Sequence, residues 1–294
     1  MTTLNLGNLA TFRLVVQRGS FSAAADLLGL SQPAVSLQVR QLEQFLQARL
    51  IERTGRGIKP TAAGMALLKH GERIEHAVNE ALLSVNECSD SVNGEVSLGT
   101  GATACIHLLP PLLQQLRARY PQLTVRVTTG NTPDIVRAID ENRLDIGLVT
   151  LPAGGRSLEV MPAQREEFVL IMAASSQAPL AEATPEVLRA LPLIAFEAGS
   201  GTRDLIDGWF RLAGVEVRPV MQLGSIEAIK RMVAAGLGYS IIPRMAVDKP
   251  RDREGLYVCS LAPLLHRQLA IVMRQDKLLS KGIVEVMRLL QSET

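Results

Sequence analysis

The sequence predicts an N-terminal, all-α winged helix-turn-helix, then a long linker helix, then a two-lobed α/β domain. Three observations predict this architecture. Short helical patterns with a basic excess open the chain, a proline-free segment with a regular apolar seam follows, and strands then alternate with helices. The predicted boundaries are 1–61, 62–93 and 94–294, with lobe I at about 94–163 and 267–294 and lobe II at about 164–266.

Charge and composition narrow the class of protein. The 294 residues are 47% hydrophobic and carry a formal net charge of +2, yet residues 1–61 hold seven basic against three acidic side chains. A local excess of this kind indicates an anion-binding module. The three cysteines lie far apart, and we see neither a signal peptide nor an apolar run of the roughly 18 residues that suggest a membrane span. These features predict a cytoplasmic protein without a membrane partner.

The first thirty-three residues predict two short helices and the start of a third. One apolar face of the first helix carries Leu9, Phe12, Val15 and Val16. Gly19-Ser20 ends that helix, and we expect Ser22 to cap the second. Ser31 is expected to cap the third helix, with Pro33 in its first turn, where a missing N–H costs little.

The third helix, SQPAVSLQVRQLE, has two different faces. Its apolar residues fall at i, i+4 and i+7 and are expected to face inward: Val35, Val39 and Leu42. Its outward polar face carries Gln32, Ser36 and Arg40. A helix, a glycine-containing turn and a second helix of this kind predict a helix-turn-helix that reads base edges in the major groove.

A two-stranded wing is predicted from ARLIERTGRGIKPTAAG. Leu50-Ile51 reads as a strand, Gly55 and Gly57 form the turn, and Lys59-Pro60 begins the return. The basic residues near its tip suit phosphate or minor-groove contact: Arg53, Arg56 and Lys59. Each of them alone could be a solvated surface charge, but their grouping beside a helix-turn-helix favours DNA contact.

The stretch GSFSAAADLLGLSQPAVSLQVRQLEQFLQARLIERTGRGIKPTAAG resembles the N-terminal signature of the LysR-type transcriptional regulators, over residues 4–64. The resemblance implies a regulator of bacterial transcription that binds double-stranded promoter DNA, and it allows contact with RNA polymerase. The helix-turn-helix spans about 22–41, and the expected DNA-contacting residues are Ser22, Ser31, Gln32, Pro33, Ser36, Leu37, Arg40, Arg53, Arg56 and Lys59. Leu37 departs from the polar or basic residue common there, which favours van der Waals contact with a thymine methyl.

A seam of apolar or small residues runs through the next segment. Its members are spaced 4-3-4-3-4-3: Leu67, Gly71, Ile74, Val78, Ala81, Val85 and Cys88. This heptad spacing predicts a dimerisation helix, which resembles the linker helix of the LysR family and would pair two reading heads in a homodimer or homotetramer. The alternative is packing of the seam against its own chain. Asn93-Gly94 ends the helix.

The last two hundred residues alternate between strands and helices. Strands at EVSLGT, TVRVTT and DIGLVT flank helices at 106–119 and 133–141, which predicts a parallel βαβαβ unit. A second unit contains strands FVLIMAA, PLIAF, VRPVMQ and YSIIP, with helices near 185–190, 202–213 and 226–235. RQLAIVMR and a helix at 278–291 return to the first unit. The whole resembles the periplasmic-binding-protein-like effector domain of LysR regulators, chiefly in DIGLV, GSGTR and AAGLGYSIIP.

Helix starts at the strand ends are the candidate effector-binding site, because free N–H groups there attract anions. The candidates are Gly101, Ala102, Thr103, Asn131, Thr132, Thr150, Ser200, Gly201, Thr202, Arg203 and Ile226. Ordinary helix capping is the alternative for each hydroxyl and amide. The resemblance implies effector contacts at Gly101, Thr103, Thr132, Thr150, Ser200 and Thr202, with only the N–H available at Gly101. A carboxylate, a sulfonate or an inorganic oxyanion would fit equally well.

Two other functions, an enzyme and a solute-binding protein, agree with parts of the sequence. An enzyme is suggested by GTGATA at residues 99–104, which resembles a dinucleotide-binding turn, but Asn131 stands where such a site needs an acid. No catalytic or metal-binding motif includes any histidine, so we predict no enzyme activity, no metal site and no cofactor besides the effector. A solute-binding protein would explain the two lobes but not the N-terminal module.

Overall fold

The computed structural model describes residues 3–54, 57–86, 92–175 and 182–291. The chain divides into two compact units, Met1–Asn86 and Glu87–Thr294. Among the described residues, no helix is both long enough and apolar enough to cross a membrane.

The N-terminal unit contains three short helices, a hairpin and a long helix. In chain order these are α1 (Leu6–Arg18), α2 (Phe21–Leu28), α3 (Gln32–Leu46), β1 (Ile51–Thr54), β2 (Gly57–Pro60) and α4 (Ala62–Asn86). The strands β1 and β2 pair antiparallel, as expected for a wing. Gly55 and Arg56, at the predicted tip, lie outside the described residues.

The caps of α2 and α3 follow local hydrogen-bonding rules. Ser31 caps α3 as predicted, since its side chain accepts from the N–H of Ala34. The prediction for α2 was wrong by two residues, because Ser20 is the cap and accepts from the N–H of Ala23. Gly19, in the left-handed conformation at φ 63°, ends α1 one residue earlier, so the extended Ser20 already opens the next helix and Ser22 lies within its first turn.

A close approach of α4 to the hairpin holds the N-terminal unit together. A Cβ at Gly64 would overlap the carbonyl oxygen of Leu50, so the helix can pass here only as glycine. Thr61 fixes the same junction, because its hydroxyl donates to the carbonyl of Arg49 at 2.7 Å and accepts from the N–H of Gly64 at 3.0 Å. The position of the wing is therefore tied to the start of α4.

The first half of the predicted seam packs within its own unit. Leu67 and Ile74 join the core that α1 and α3 form, and a Cβ at Gly71 would lie 3.3–3.4 Å from side-chain atoms of Arg13 and Leu9. This half of the seam therefore packs in part against α1, which is the alternative considered for it, and dimerisation through the helix stays a prediction. The seam position Cys88 and the side chain of Val85 lie outside the described part of the chain.

The C-terminal unit begins with the predicted parallel strands. Its first elements are β3 (Gly94–Thr100), α5 (Ala102–His107), α6 (Leu109–Arg119), β4 (Leu123–Thr129), α7 (Thr132–Asp140) and β5 (Ile146–Thr150). Strand β3 pairs parallel with both β4 and β5. The predicted single helix over 106–119 is two helices beginning at Ala102, because Pro110 and Pro111 cannot continue a helix yet suit the first turn of a new one.

Two long strands then carry the chain between the lobes. The remaining elements are β6 (Leu158–Ala173), α8 (Pro185–Leu188), β7 (Ile194–Phe196), α9 (Gly201–Leu212), β8 (Met221–Leu223), α10 (Ile226–Ala234), β9 (Ser240–Pro243), β10 (Leu256–Arg274) and α11 (Lys281–Gln291). Strands β6 and β10 pair antiparallel along their lengths in a six-stranded sheet of order β4-β3-β5-β10-β6-β9. Separate apolar cores cover the two ends of this pair.

Several predicted boundaries in the C-terminal unit were wrong. FVLIMAA and RQLAIVMR are only the last parts of the long strands β6 and β10, which begin at Leu158 and Leu256. VRPVMQ becomes a strand only at Met221, where β8 pairs parallel with β7 through Ile194. The last helix begins at Lys281 instead of 278, because the hydroxyl of Ser280 accepts from the N–H of Ile283 and so fixes the first turn.

Candidate functional site

The exposed face of α3 carries the predicted base-reading residues. Gln32, Pro33, Leu37 and Arg40 are exposed, and Ser36 is half-buried. The side-chain amide of Gln32 donates to the hydroxyl of Ser36 at 2.7 Å, so these two neighbours satisfy each other on the free helix. With Val35, Val39 and Leu42 buried on the other face, α3 presents a continuous polar strip with one apolar residue.

Two side-chain hydrogen bonds fix the rotation of α3 against α1, and the sequence analysis missed both. The hydroxyl of Thr11 donates to Gln38 Oε1 at 2.6 Å, and Asn8 Nδ2 donates to Gln41 Oε1 at 3.2 Å. Asn8 and Thr11 are buried. The sequence does hold a signal for these bonds, because Asn8 and Thr11 are polar residues on the otherwise apolar face of α1.

The other predicted DNA-contacting residues lie around α3. Ser22 is exposed in the first turn of α2, and Lys59 is exposed on β2 opposite Glu52. Arg53 lies on β1, paired with Ile58, but its side chain lies outside what the structure describes, and so does all of Arg56. The hydroxyl of Ser31 accepts the capping hydrogen bond from the N–H of Ala34, so the predicted contact of Ser31 with DNA would use the rest of this exposed residue.

A cavity of about 250 Å³ opens between the two lobes of the C-terminal unit. All of the predicted effector residues except Arg203 line it, together with residues that the prediction did not include. The polar and charged additions are Thr100, Glu197, Ser225 and Arg267. The structure thus brings together the starts of α5, α7, α9 and α10, which come from both lobes.

The four helix starts differ in what remains available to a ligand. Ser200 and Ser225 cap α9 and α10, because their hydroxyls accept from the N–H groups of Arg203 and Ala228. Neither Gly101 nor Asn131 caps its helix through a side chain, so the first N–H groups of α5 keep no such partner within the described structure. At α7 only the N–H of Thr132 is left in this way, because Pro133 has none and that of Asp134 donates to the carbonyl of Asn131. The uncapped starts both belong to lobe I.

Arg203 was wrongly predicted to face the cleft. Its guanidinium contacts both carboxylate oxygens of Asp207 at 2.8 Å and donates to the carbonyl of Phe196 at 3.0 Å. The i, i+4 spacing on α9 explains this orientation, since a pair of opposite charge one turn apart lies on the same helix face. Arg203 therefore supports the end of β7 from the side away from the cavity.

The charge that does line the cavity on the strand side is Arg267, from β10. It is 8% exposed, and its Nε lies 2.6 Å from Glu166 Oε2, directly across the β6–β10 ladder. Its Nη1 reaches the hydroxyl of Thr202 at 3.4 Å, and its guanidinium lies 5.4 Å from the centre of the Phe168 ring. Burial is the main cause that raises the pKa of Glu166, against the opposing effect of Arg267.

A second polar contact joins the lobes beside the cavity. His107 Nε2, at the end of α5, lies 3.2 Å from Glu227 Oε1 in the first turn of α10. Lys230 Nζ contacts the same oxygen at 3.1 Å and donates to the carbonyl of Ala246 at 2.8 Å. Burial and the nearby Lys230 lower the pKa of His107 below its ordinary value, so its imidazole is neutral at pH 7.

Nothing in the described part of the chain forms a cluster of three or more metal-ligating residues. Cys105 and Cys259 are free thiols. The cavity offers a ligand hydroxyls and backbone N–H groups and, among the described residues, one guanidinium and one carboxylate.

Comparison with known families matches both units. Residues 6–65 match the family described as the bacterial regulatory helix-turn-helix protein of the LysR family, and residues 89–294 match the LysR substrate binding domain. Together the two matches cover almost all of the chain.

Individual relatives agree with the family match. The chain is 31% identical over 282 residues to the transcriptional regulator YofA of Bacillus velezensis, covering 96% of each chain. It is 30% identical over 293 residues to a probable RuBisCO transcriptional regulator of Synechocystis, covering 96% of this chain and 84% of that one.

Solved structures share the whole fold. CbnR in complex with its target DNA gives a TM-score of 0.78 at 23% identity, covering 99% of this chain and 100% of that one. HinK of Pseudomonas aeruginosa gives a TM-score of 0.62 at 20% identity, covering 99% and 98%. These values show a common fold from the helix-turn-helix to the last helix.

Proposed function

The chain belongs to the LysR family and is a DNA-binding transcriptional regulator, not an enzyme, and from this premise we propose how its two units divide the work. The N-terminal unit reads promoter DNA through α3. The C-terminal unit binds a small effector that carries an anionic group in the cavity between the lobes. Within these two units we keep the predicted domain boundaries, 1–61, 62–93 and 94–294, as part of the proposal; the compact units themselves divide after Asn86.

The exposed strip of α3 is the observation that carries the DNA-binding proposal. Gln32 and Arg40 are exposed on the face of α3 opposite the buried Val35 and Val39. The hydrogen bond from Thr11 to Gln38 fixes the rotation of this helix. Side-chain amides pair with adenine and guanidinium groups with guanine in the major groove. Arg53, Arg56 and Lys59 of the wing, with Ser22, supply phosphate contacts in this proposal.

The effector proposal rests on the polar lining of the cavity. Thr103, Thr132, Thr150 and Thr202 line it together with the uncapped starts of α5 and α7. Hydroxyls and N–H groups of this kind hold carboxylate, sulfonate or inorganic oxyanion groups. A ligand shifts the regulator between states only if it binds one arrangement of the lobes better than the other.

Assembly and location follow from the same function. One reading head gives little specificity, so we propose a homodimer or homotetramer that pairs reading heads through the α4 seam, in which Ala81 is exposed. Contact with RNA polymerase and a place in the cytoplasm, where promoter DNA is found in bacteria, complete the proposal.

The Arg40→Ala variant tests the reading role of α3. On a binding site selected from random DNA by the native protein, we expect a loss of about 1–3 kcal/mol in binding free energy, since one base contact disappears. Binding to unrelated DNA should change much less. Arg18→Ala, which removes an exposed arginine at the end of α1, is the matched control. Equal losses on both kinds of DNA would contradict base reading.

The effector site is tested by Thr103→Val and Thr202→Val. These substitutions keep the side-chain volume and remove one hydroxyl each, so we expect loss of the effector response while DNA affinity stays unchanged. Gel-shift titrations with and without cell metabolite extract measure both quantities. If both variants respond as the native protein does, the effector does not bind in this cavity.

A further inference from the structure

We propose that the effector is a small zwitterion of the amino acid type, whose carboxylate binds Arg267 and Thr202 and whose ammonium group binds Glu197. This inference rests on the proposed function of the cavity and specifies the class of ligand. Among the described residues that line the cavity, Arg267 is the one base and Glu197 the one acid.

Arg267 retains donors for a carboxylate. Its Nε–H is used by Glu166 and one Nη1–H by Thr202, which leaves three of the five guanidinium N–H groups without a partner in the described structure. The side chain is held in place by the ladder between β6 and β10 and by the ring of Phe168. A guanidinium that is fixed beforehand binds a carboxylate with little loss of side-chain freedom.

Glu197 supplies the opposite charge from the end of β7. Its carboxylate makes no ion pair or hydrogen bond within the described residues, and it is exposed at the cavity. The carboxylate lies over Gly224, where a Cβ would be 2.8 Å from Oε2 and 3.2 Å from Oε1. A side chain at position 224 would displace the carboxylate, so the glycine leaves room for it at the cavity wall.

One tight turn connects the two charged ends of the site. The N–H of Ser200 lies 3.5 Å from the carbonyl of Glu197, and the hydroxyl of Ser200 donates to the same carbonyl at 3.0 Å. Thr202, which contacts Arg267, follows in the first turn of α9. This turn thus carries Glu197 and, five positions later, the residue that contacts Arg267, and all three line the cavity.

The two charges select against simpler ions. A plain anion that binds Arg267 is repelled by the uncompensated Glu197, and a plain cation that binds Glu197 meets a guanidinium with unused donors. A cavity of about 250 Å³ also limits the ligand to a small molecule. A group that carries both charges on neighbouring atoms satisfies both ends.

The test uses matched probes on the full chain. Thermal-shift and calorimetric titrations compare the protein amino acids, at millimolar concentration, with inorganic sulfate. Each amino acid that binds is then compared with its desamino carboxylic acid and its decarboxylated amine. We expect at least one amino acid to raise Tm, and both of its analogues to bind at least about tenfold more weakly. An equal shift by a desamino acid or by sulfate, or no shift by any amino acid, overturns the proposal.

Two variants identify the ammonium site. Glu197→Gln keeps shape and removes charge, so amino acid affinity should fall by about tenfold or more while the desamino acid binds no more weakly than before. Glu216→Gln, at another exposed acid of lobe II, is the control and should leave both affinities unchanged. Native affinity in Glu197→Gln overturns the assignment.

A DNA-binding readout separates this inference from the proposed function. If a desamino acid binds and changes the affinity for DNA, the zwitterion is wrong and the effector function stands. If an amino acid binds in the cavity without any effect on DNA affinity, the ligand class stands and the effector role of the cavity fails.

Discussion

The reading helix and the effector cleft position their polar groups by opposite means. On α3 the side chains proposed to face DNA are exposed and belong to one element, and what holds them is the buried opposite face, including Val35 and Leu42. In the cleft the decisive charge, Arg267, is itself buried and depends on Glu166 from another strand. A substitution at an exposed residue of α3 should therefore change only the affinity for DNA. A substitution in the buried pair of the cleft should also change the free energy of unfolding.

The largest expected effect breaks the buried pair in the cleft. Glu166→Leu leaves Arg267 without its partner, so we expect the free energy of unfolding to fall by about 3–5 kcal/mol in urea denaturation. The double variant Glu166→Leu/Arg267→Met should recover much of this loss, because it removes both charges. Arg40→Ala on α3 serves as the contrast and should change stability by about 0.5 kcal/mol or less.

A stability loss in Arg40→Ala as large as that of Glu166→Leu would remove the contrast between the two regions.

A smaller loss of stability is expected where α4 packs against the hairpin, next to α3. Gly64→Ala forces a methyl group against the carbonyl of Leu50, so we expect a loss of about 1–3 kcal/mol and weaker binding to all DNA. Thermal denaturation and gel-shift titration measure the two effects. Gly208→Ala is the control, since its Cβ meets nothing within 4 Å on α9. A stable Gly64→Ala variant would show that α4 can move away from the hairpin freely.

The smallest expected effect concerns the contact between the lobes. The pKa of His107 is lowered in the folded protein from 6.5, so the unfolded chain takes up the proton first as the pH falls. The contribution of His107 to stability is therefore complete above pH 6.5 and is lost as the pH falls toward its folded pKa. The groups that face it are Glu227, Lys230 and Asp252.

Denaturation midpoints at several pH values check this expectation. The native protein should lose more stability below pH 6.5 than the His107→Gln variant does. His70→Gln, which removes an exposed histidine of α4, should behave as the native protein. Identical acid profiles in the native protein and His107→Gln would contradict a neutral, buried imidazole.

Sequence patterns predicted the features that depend on a single helix or strand and its immediate neighbours in the chain. The buried face of α3, the cap at Ser31 and the parallel strands all follow from local spacing and composition. The two errors at α2 and α6 were also local, because two serines competed for one cap and a single helix was predicted across a proline pair that begins a new helix.

The charges of the cleft could not be predicted in the same way. Arg267 and Glu166 are 101 positions apart, and only the antiparallel register of β6 and β10 places them opposite each other. Arg203 was preferred because it follows a glycine-rich helix start, yet Asp207 one turn later turns it away. The one available signal was that both long apolar strands carry charged residues, REE and HRQ, at corresponding places in the chain.

The bond between Gln32 and Ser36 has a consequence for how the protein searches a genome. In the protein without DNA the two side chains already satisfy each other at 2.7 Å. If α3 reads bases as proposed, a base edge holds these side chains only by replacing that bond with better ones, so unrelated sequence should slow the sliding protein little. Under that proposal, the pair sets a threshold between sliding along DNA and stopping at a site.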